Sequence, residues 1–234
     1  MTADAPLTSQ FYATKRGTVA CGLVRARLHR VWPRLDGQSV LGIGHASPYL
    51  RCWPEAARRI AAVPAQLDVE PWPAGPGNLT CTMEEDAMPF PDLSFDRILL
   101  VHGLEAADNA RALLREVWRV LKDDGRLLVV APNRMGLWAH VESTPFAHGH
   151  PYSPGQIGRL LADSMFRVEH RDTALHLPPV RARMLLRGAQ AWDSGARWLM
   201  PQFAGVTITE AVKDVYAAIP LRSRRRRMVL SRAA

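Results

Sequence analysis

Between Thr18 and Trp32 the apolar residues Val19, Leu23, Val24, Leu28 and Val31 recur at spacings of three and four, which predicts an amphipathic helix. Pro33 ends it. The short apolar run SVLGI, Ser39 to Ile43, is followed by a glycine and reads as a buried strand. Ser47 as N-cap and Pro48 at the first helical position then open a helix after a tight loop. A second strand is expected over Arg59 to Ala65, with Pro64 near its end. The Pro- and Gly-rich stretch from Pro71 to Gly77 is loop. A weak strand over Leu79 to Thr82 and a clear one over Phe95 to Val101 flank the acidic segment Glu84 to Asp92. Asp108 to Leu121 carries the strongest helical pattern, with Leu113, Leu114, Val117, Val120 and Leu121 on one side. Asp123, Asp124 and Gly125 turn the chain into the apolar strand Leu127 to Ala131. A helix over Ser153 to Leu161, a strand over Met165 to His170, an amphipathic helical insertion over Val180 to Leu199 and a last strand over Gly205 to Val212 complete the pattern.

Strands that alternate with helices and read as near-continuous apolar runs imply a parallel sheet covered on both faces, so the fold class is α/β and doubly wound. With 234 residues the chain suits one decorated domain. We expect an N-terminal helical cap over residues 1–36, a core over 37–175, and the insertion, last strand and basic tail over 176–234. No apolar run approaches the roughly 18 residues a membrane span needs. Cys21, Cys52 and Cys81 are single and widely spaced, and they predict small buried hydrophobes in a reducing, cytoplasmic chain without a metal site. The first residues show no apolar signal core behind a basic leader.

The net charge of +8 changes this picture only through its distribution. The middle of the chain is acidic and both ends are basic, mostly through arginine, with five arginines between Arg222 and Arg227. Arg181, Arg183 and Arg187 beside Met184 and Leu185 form a basic amphipathic face suited to a protein partner or an anionic surface. Nucleic acid is a further partner that the same charge would attract without specificity.

The segment DAMPFPDLSFDRILLVHGLEAADN, Asp86 to Asn109, running on through LLREVWRVLKDDGRLLVVAPN to Asn133, resembles the class I S-adenosylmethionine-dependent methyltransferases of the small-molecule type. HGHPYSPGQIGRLLADSMF, His148 to Phe166, resembles the same family's approach to its sixth strand. The resemblance, from about Ser39 to Phe166, implies a Rossmann-like seven-stranded, mostly parallel sheet with its last strand antiparallel. It also implies a cofactor cleft at the carboxyl ends of the first strands, where open α/β sheets hold their ligands.

On this resemblance the S-adenosylmethionine contacts fall on Gly42, Gly44, His45 and Ala46 after the first strand, on Pro64, Ala65 and Gln66 after the second, and on Asp86, Ala87 and Met88 at the adenine. Tyr12 falls in the N-terminal segment that folds over the cofactor. Two acids of the family pattern are absent: Gly42 stands where the loop acid would be, and Pro64 where the ribose acid would be. Gln66, or Asp68 reaching back, is the substitute available in the sequence. Free N–H groups at the helix beginning at Ser47 would face the methionine carboxylate.

Methyl transfer from a sulfonium needs alignment and, for some acceptors, removal of a proton. His102 follows the fourth strand and is the candidate general base. His140, His148 and His150 with Tyr152 form a cluster suited to the acceptor pocket, and His148 and Tyr152 join His102 as catalytic candidates. The acceptor is a small molecule or a protein group. The alternative is a methyltransferase-like subunit with weakened catalysis that serves a protein partner as scaffold or regulator. A nicotinamide oxidoreductase fits less well, because the dinucleotide fingerprint's glycines are absent.

Overall fold

Side chains that alternate along the apolar strands feed two separate cores, one on each face of a seven-stranded sheet. The structure, a computed structural model, describes residues 8–67, 69–73, 75, 77–176 and 203–215. Its strands are β1 (Ser39–Gly44), β2 (Arg58–Pro64), β3 (Thr80–Met83), β4 (Phe95–Val101), β5 (Leu121–Pro132), β6 (Phe166–Ala174) and β7 (Val206–Lys213). They lie in the order β3-β2-β1-β4-β5-β7-β6, parallel except for β7, which runs antiparallel to both neighbours. This is the mostly parallel sheet that the resemblance implies.

Val40, Leu99, Val101, Leu128 and Val130 point to one face, where α2 (Lys15–Val31) buries Leu23, Val24 and Leu28. Leu41, Ile43, Ile98, Leu100, Leu127 and Val129 point to the other, covered by α4 (Ala110–Val120) and α5 (Pro154–Asp163). The strand order reverses between β1 and β4, so their carboxyl ends open the switch-point crevice of the sheet.

Local chemistry sets the element ends. Thr14 caps α2, its hydroxyl accepting from the Gly17 N–H at 3.0 Å, so this helix begins three residues before the apolar pattern does. Ser153 and Gln156 form a reciprocal capping box at α5. Two expectations need correction. The helix after β1, α3 (Ser47–Leu50), is a single turn whose cap position is Ala46, without a side-chain cap. Pro54 follows within four residues and Trp53 drops fully into the core, so the chain cannot continue helically and offers no developed dipole. Strand β5 starts at Leu121, directly off α4, because Leu121 pairs with Phe95 before an irregularity in the ladder restores the register at Arg97 and Arg126.

A six-residue helix, α1 (Thr8–Ala13), precedes α2 and lays Phe11 edge-on against Trp138 and Phe146. The half-buried cysteines pack against the cores, Cys21 and Cys52 on one face and Cys81 on the other. The insertion with Arg181, Arg183 and Arg187, the arginine tail and Asp68 lie outside the described residues. Among the described residues no helix is long and apolar enough to cross a membrane.

Candidate functional site

A cavity of about 270 Å³ opens at the carboxyl ends of β1, β2 and β4. Its size is just under the roughly 300–1,000 Å³ usual for small-molecule sites. Gly44 and His45 line it from the end of β1, Val63, Gln66 and Leu67 from β2, His102, Glu105 and Ala106 from β4, and Thr8 and Ser9 from α1. Pro145, His148 and Gly149 close the remaining side.

The backbone at the mouth is forced close. Gly44 has φ of 75°, and a Cβ there would lie 2.3 Å from the Val101 carbonyl oxygen and 2.9 Å from the Gly103 nitrogen. The His45 N–H donates to that same Val101 carbonyl at 2.8 Å, which extends the β1–β4 pairing into the loop. Gly42 is a different case. Its Cβ position points away from the crevice, 2.7 Å from the Ala46 Cβ and 3.0 Å from Leu50, so close packing of α3 on β1 excludes a side chain where the family carries its acid.

Five side chains from distant parts of the chain meet at the loop. The Tyr12 ring stacks on His45 with centroids 4.8 Å apart and planes 16° apart. The Tyr49 hydroxyl donates to the Tyr12 hydroxyl at 3.1 Å, and Tyr12 in turn lies 2.8 Å from His102 Nε2. On its other side, His102 Nδ1 lies 2.8 Å from Glu105 Oε1. A carboxylate only accepts, so Nδ1 carries the proton, and in the neutral ring Nε2 accepts from Tyr12. His102 holds φ of 54°, a left-handed conformation that is uncommon for a residue with a side chain and concentrates at functional sites.

Burial pushes both tyrosine hydroxyls well above their ordinary range, and they remain neutral donors. Burial, with a smaller contribution from His102, pushes His45 down to about 3, so its ring is neutral as well. Two residues that line the cavity each hold a buried polar atom with no hydrogen-bond partner among the described residues: His45 Nε2 and Glu105 Oε2.

The sequence-derived residues divide accordingly. Gly44, His45, Gln66, His102 and His148 come together on the cavity. Ala46 and Pro64 are buried behind it, and Ala65 is exposed, its N–H donating to the Met83 carbonyl at 3.1 Å. Asp86 and Ala87 are exposed and outside the lining. The Met88 N–H is taken by Glu116 Oε2 at 2.8 Å. The neighbouring acid Glu85 turns inward instead and accepts from the Asp108 and Asn109 N–H groups at 3.1 and 2.9 Å. His148 uses its Nε2 to donate to the Glu142 carbonyl at 2.8 Å. Tyr152, with Arg134, His140, His150 and Gln156, lines a second, more open cavity of about 420 Å³ that shares Gly149 with the first. Among the described residues no group of three His, Cys, Asp or Glu is placed to hold a metal.

Glu105 is the cavity-lining partner of His102 that the sequence did not single out. It stands three residues after His102 within a segment already singled out, and an acid at that interval from a strand-end histidine is the signal that would have found it.

Residues 41–129 match the family described as methyltransferase domain. An uncharacterised protein of Mycobacterium tuberculosis is 32% identical over 120 residues, which cover 48% of this chain and 42% of that protein. A demethylmenaquinone methyltransferase of Deinococcus radiodurans is 35% identical over 105 residues, covering 43% of this chain and 42% of the relative. The matched segment thus spans less than half the length of these curated relatives. Among solved structures, a S-adenosylmethionine-dependent methyltransferase of Thermotoga maritima superposes with a TM-score of 0.59 at 14% identity over 88% of this chain and 94% of its own. S-adenosylmethionine is the cofactor that the domain family and this fold imply.

Proposed function

We propose that this chain, which matches the methyltransferase domain family over residues 41–129, transfers a methyl group from S-adenosylmethionine to a small molecule or a protein group. The observation that carries the reading is the cavity at the switch point, whose lining residues His45 and Glu105 each hold a buried, unpartnered polar atom. In native proteins such atoms are rare and call for a ligand, ion or water.

The residues present fit the cofactor. Bare backbone at Gly44 permits close approach, Val63 and Leu67 offer apolar surface beside the polar Gln66, and Glu105 and His45 offer unused polar atoms. When bound, S-adenosylmethionine supplies an electrophilic methyl group. Gly44, His45 and Gln66 would hold it, with Tyr12 packed over the loop as a cover.

His102 is the proposed base. Glu105 fixes its tautomer and leaves the Nε2 lone pair facing Tyr12. An acceptor hydroxyl or amine that takes the place of the Tyr12 hydroxyl meets that lone pair and gives up its proton there. His148 on the cavity wall, and Tyr152 with the second cavity, would orient the acceptor.

Calorimetric titration of the purified chain with S-adenosylmethionine and S-adenosylhomocysteine tests the reading, and saturable binding is expected. No heat at millimolar ligand would sink it. The exclusion of an acid at Gly42 favours a second reading, a methyltransferase-like scaffold with weakened catalysis. Methyl-donor turnover by the lone chain refutes that reading.

A further inference from the structure

The loop after β1 has no room for an acid, yet the cavity wall is not without one. Glu105, in the turn after β4, is 3% exposed and is the one acid among the described lining residues. Its two oxygens have separate fates. Oε1 accepts from His102 Nδ1 at 2.8 Å, while Oε2 is buried with no partner. The groups packed around it leave that oxygen free: the His150 N–H goes to the Glu105 backbone carbonyl at 2.8 Å, Gly149 packs against the same carbonyl, and His148 donates elsewhere. A buried carboxylate oxygen is strongly favoured to accept from a charged donor, and the bond is stronger than one between neutral groups.

We propose that Glu105 Oε2 anchors a primary ammonium in the cavity, namely the α-ammonium on the methionyl arm of the cofactor, and so replaces from β4 the acid excluded at Gly42. This rests on the methyl-transfer reading above. Three features of the wall converge on it. The adjoining side chains Tyr12 and His45 are neutral and add no competing charge. Glu105 and Gly44 line the same cavity, so an arm held at Gly44 shares the space that the Glu105 residue borders. The bond from His102 locks one carboxylate oxygen and thereby aims the other.

Calorimetry on the full chain with two ligands isolates the contact: S-adenosylhomocysteine, and 5′-S-(3-carboxypropyl)thioadenosine, which lacks only the amino group. The wild type is expected to bind the first at least 10-fold more tightly. Glu105→Gln, which keeps an oxygen for His102, is expected to weaken S-adenosylhomocysteine roughly 10-fold or more while leaving the amino-free ligand within about twofold. Glu105→Asp, charged but shorter, should fall between, and it carries the test with the wild type if the glutamine variant does not fold. Equal affinity of the wild type for the two ligands overturns the proposal. So does a preference for S-adenosylhomocysteine that survives in Glu105→Gln, or equal loss of both ligands. An amine acceptor as the true partner of Glu105 would show as unchanged S-adenosylhomocysteine binding in the variant, which also overturns it. A wild type that binds neither ligand removes the methyl-transfer reading and this inference with it.

Discussion

The Tyr12 hydroxyl and His102 Nε2 stand 2.8 Å apart although 90 residues separate them in the chain. Their bond ties the N-terminal helix to the end of the fourth strand and completes a directional line of donors from Tyr49 through Tyr12 and His102 to Glu105.

Because the carboxylate of Glu105 can only accept, His102 is expected in the Nδ1–H tautomer, and Tyr12→Phe should leave that tautomer in place. Long-range ¹⁵N–¹H spectra of the imidazole check this, and a predominant Nε2–H form would contradict the donor line. The lost hydroxyl should cost about 1 kcal/mol and lower the melting temperature by roughly 2–4 °C.

Arg119 on α4 should matter more to stability than any exposed ion pair. Its guanidinium donates to the Phe90 and Met88 carbonyls at 2.8 and 3.0 Å, to Asp92 at 2.7 Å and to both oxygens of Glu116 at 3.0 and 2.7 Å. Glu116 also takes the Met88 N–H. One side chain therefore closes the loop between β3 and β4. Arg119→Ala is expected to lose about 2–3 kcal/mol in urea unfolding, and Arg119→Lys to recover little of it, since lysine lacks the planar fork.

The same residues show what the sequence can and cannot say. The strands and the buried face of α4 were legible because period-two and helical patterns report burial directly, as Leu99 and Leu100 do by entering opposite cores. The candidate site was legible where backbone geometry demands one residue, as at Gly44. Three features were not. Tyr12 and His102 leave no local mark of their pairing. Among Glu84, Glu85 and Asp86, residue type does not tell which carboxylate turns inward, and Glu85 does so because it satisfies the N–H groups just ahead of α4. The length of α3 depends on Trp53 finding the core, a tertiary effect that the serine and proline at its start do not reveal.

Restoring the family's acid should fail. At Gly42 a Cβ would meet Ala46 at 2.7 Å and Leu50 at 3.0 Å, on the core side of β1. Gly42→Asp therefore inserts a charge into apolar packing and is expected to destabilise the fold by about 3 kcal/mol or more without raising affinity for S-adenosylhomocysteine. Thermal melts with calorimetry check both parts. A gain in affinity at undiminished stability would mean that the loop can rearrange to aim residue 42 at the crevice.

His45 makes stability depend on pH in a window set by its own shift. Burial lowers its imidazole from 6.5 to about 3, so the folded ring stays neutral where the unfolded ring would be charged. Above pH 6.5 both states are neutral and the full stability is present. As pH falls below 6.5 the unfolded chain takes up a proton that the folded chain refuses, and stability declines by up to about 1.4 kcal/mol per pH unit until the folded pKa is reached. Between pH 6.5 and 5, above the range where the carboxylates protonate, this one ring should account for a loss of about 1–2 kcal/mol. His45→Gln has no proton to refuse and should flatten the slope in that interval, whatever its effect at pH 7.5. Urea unfolding of the two proteins at pH 7.5, 6.0 and 5.0 measures it. Parallel slopes would place His45 in contact with water, and the Tyr12 ring would then not cover the loop as the stacking geometry requires.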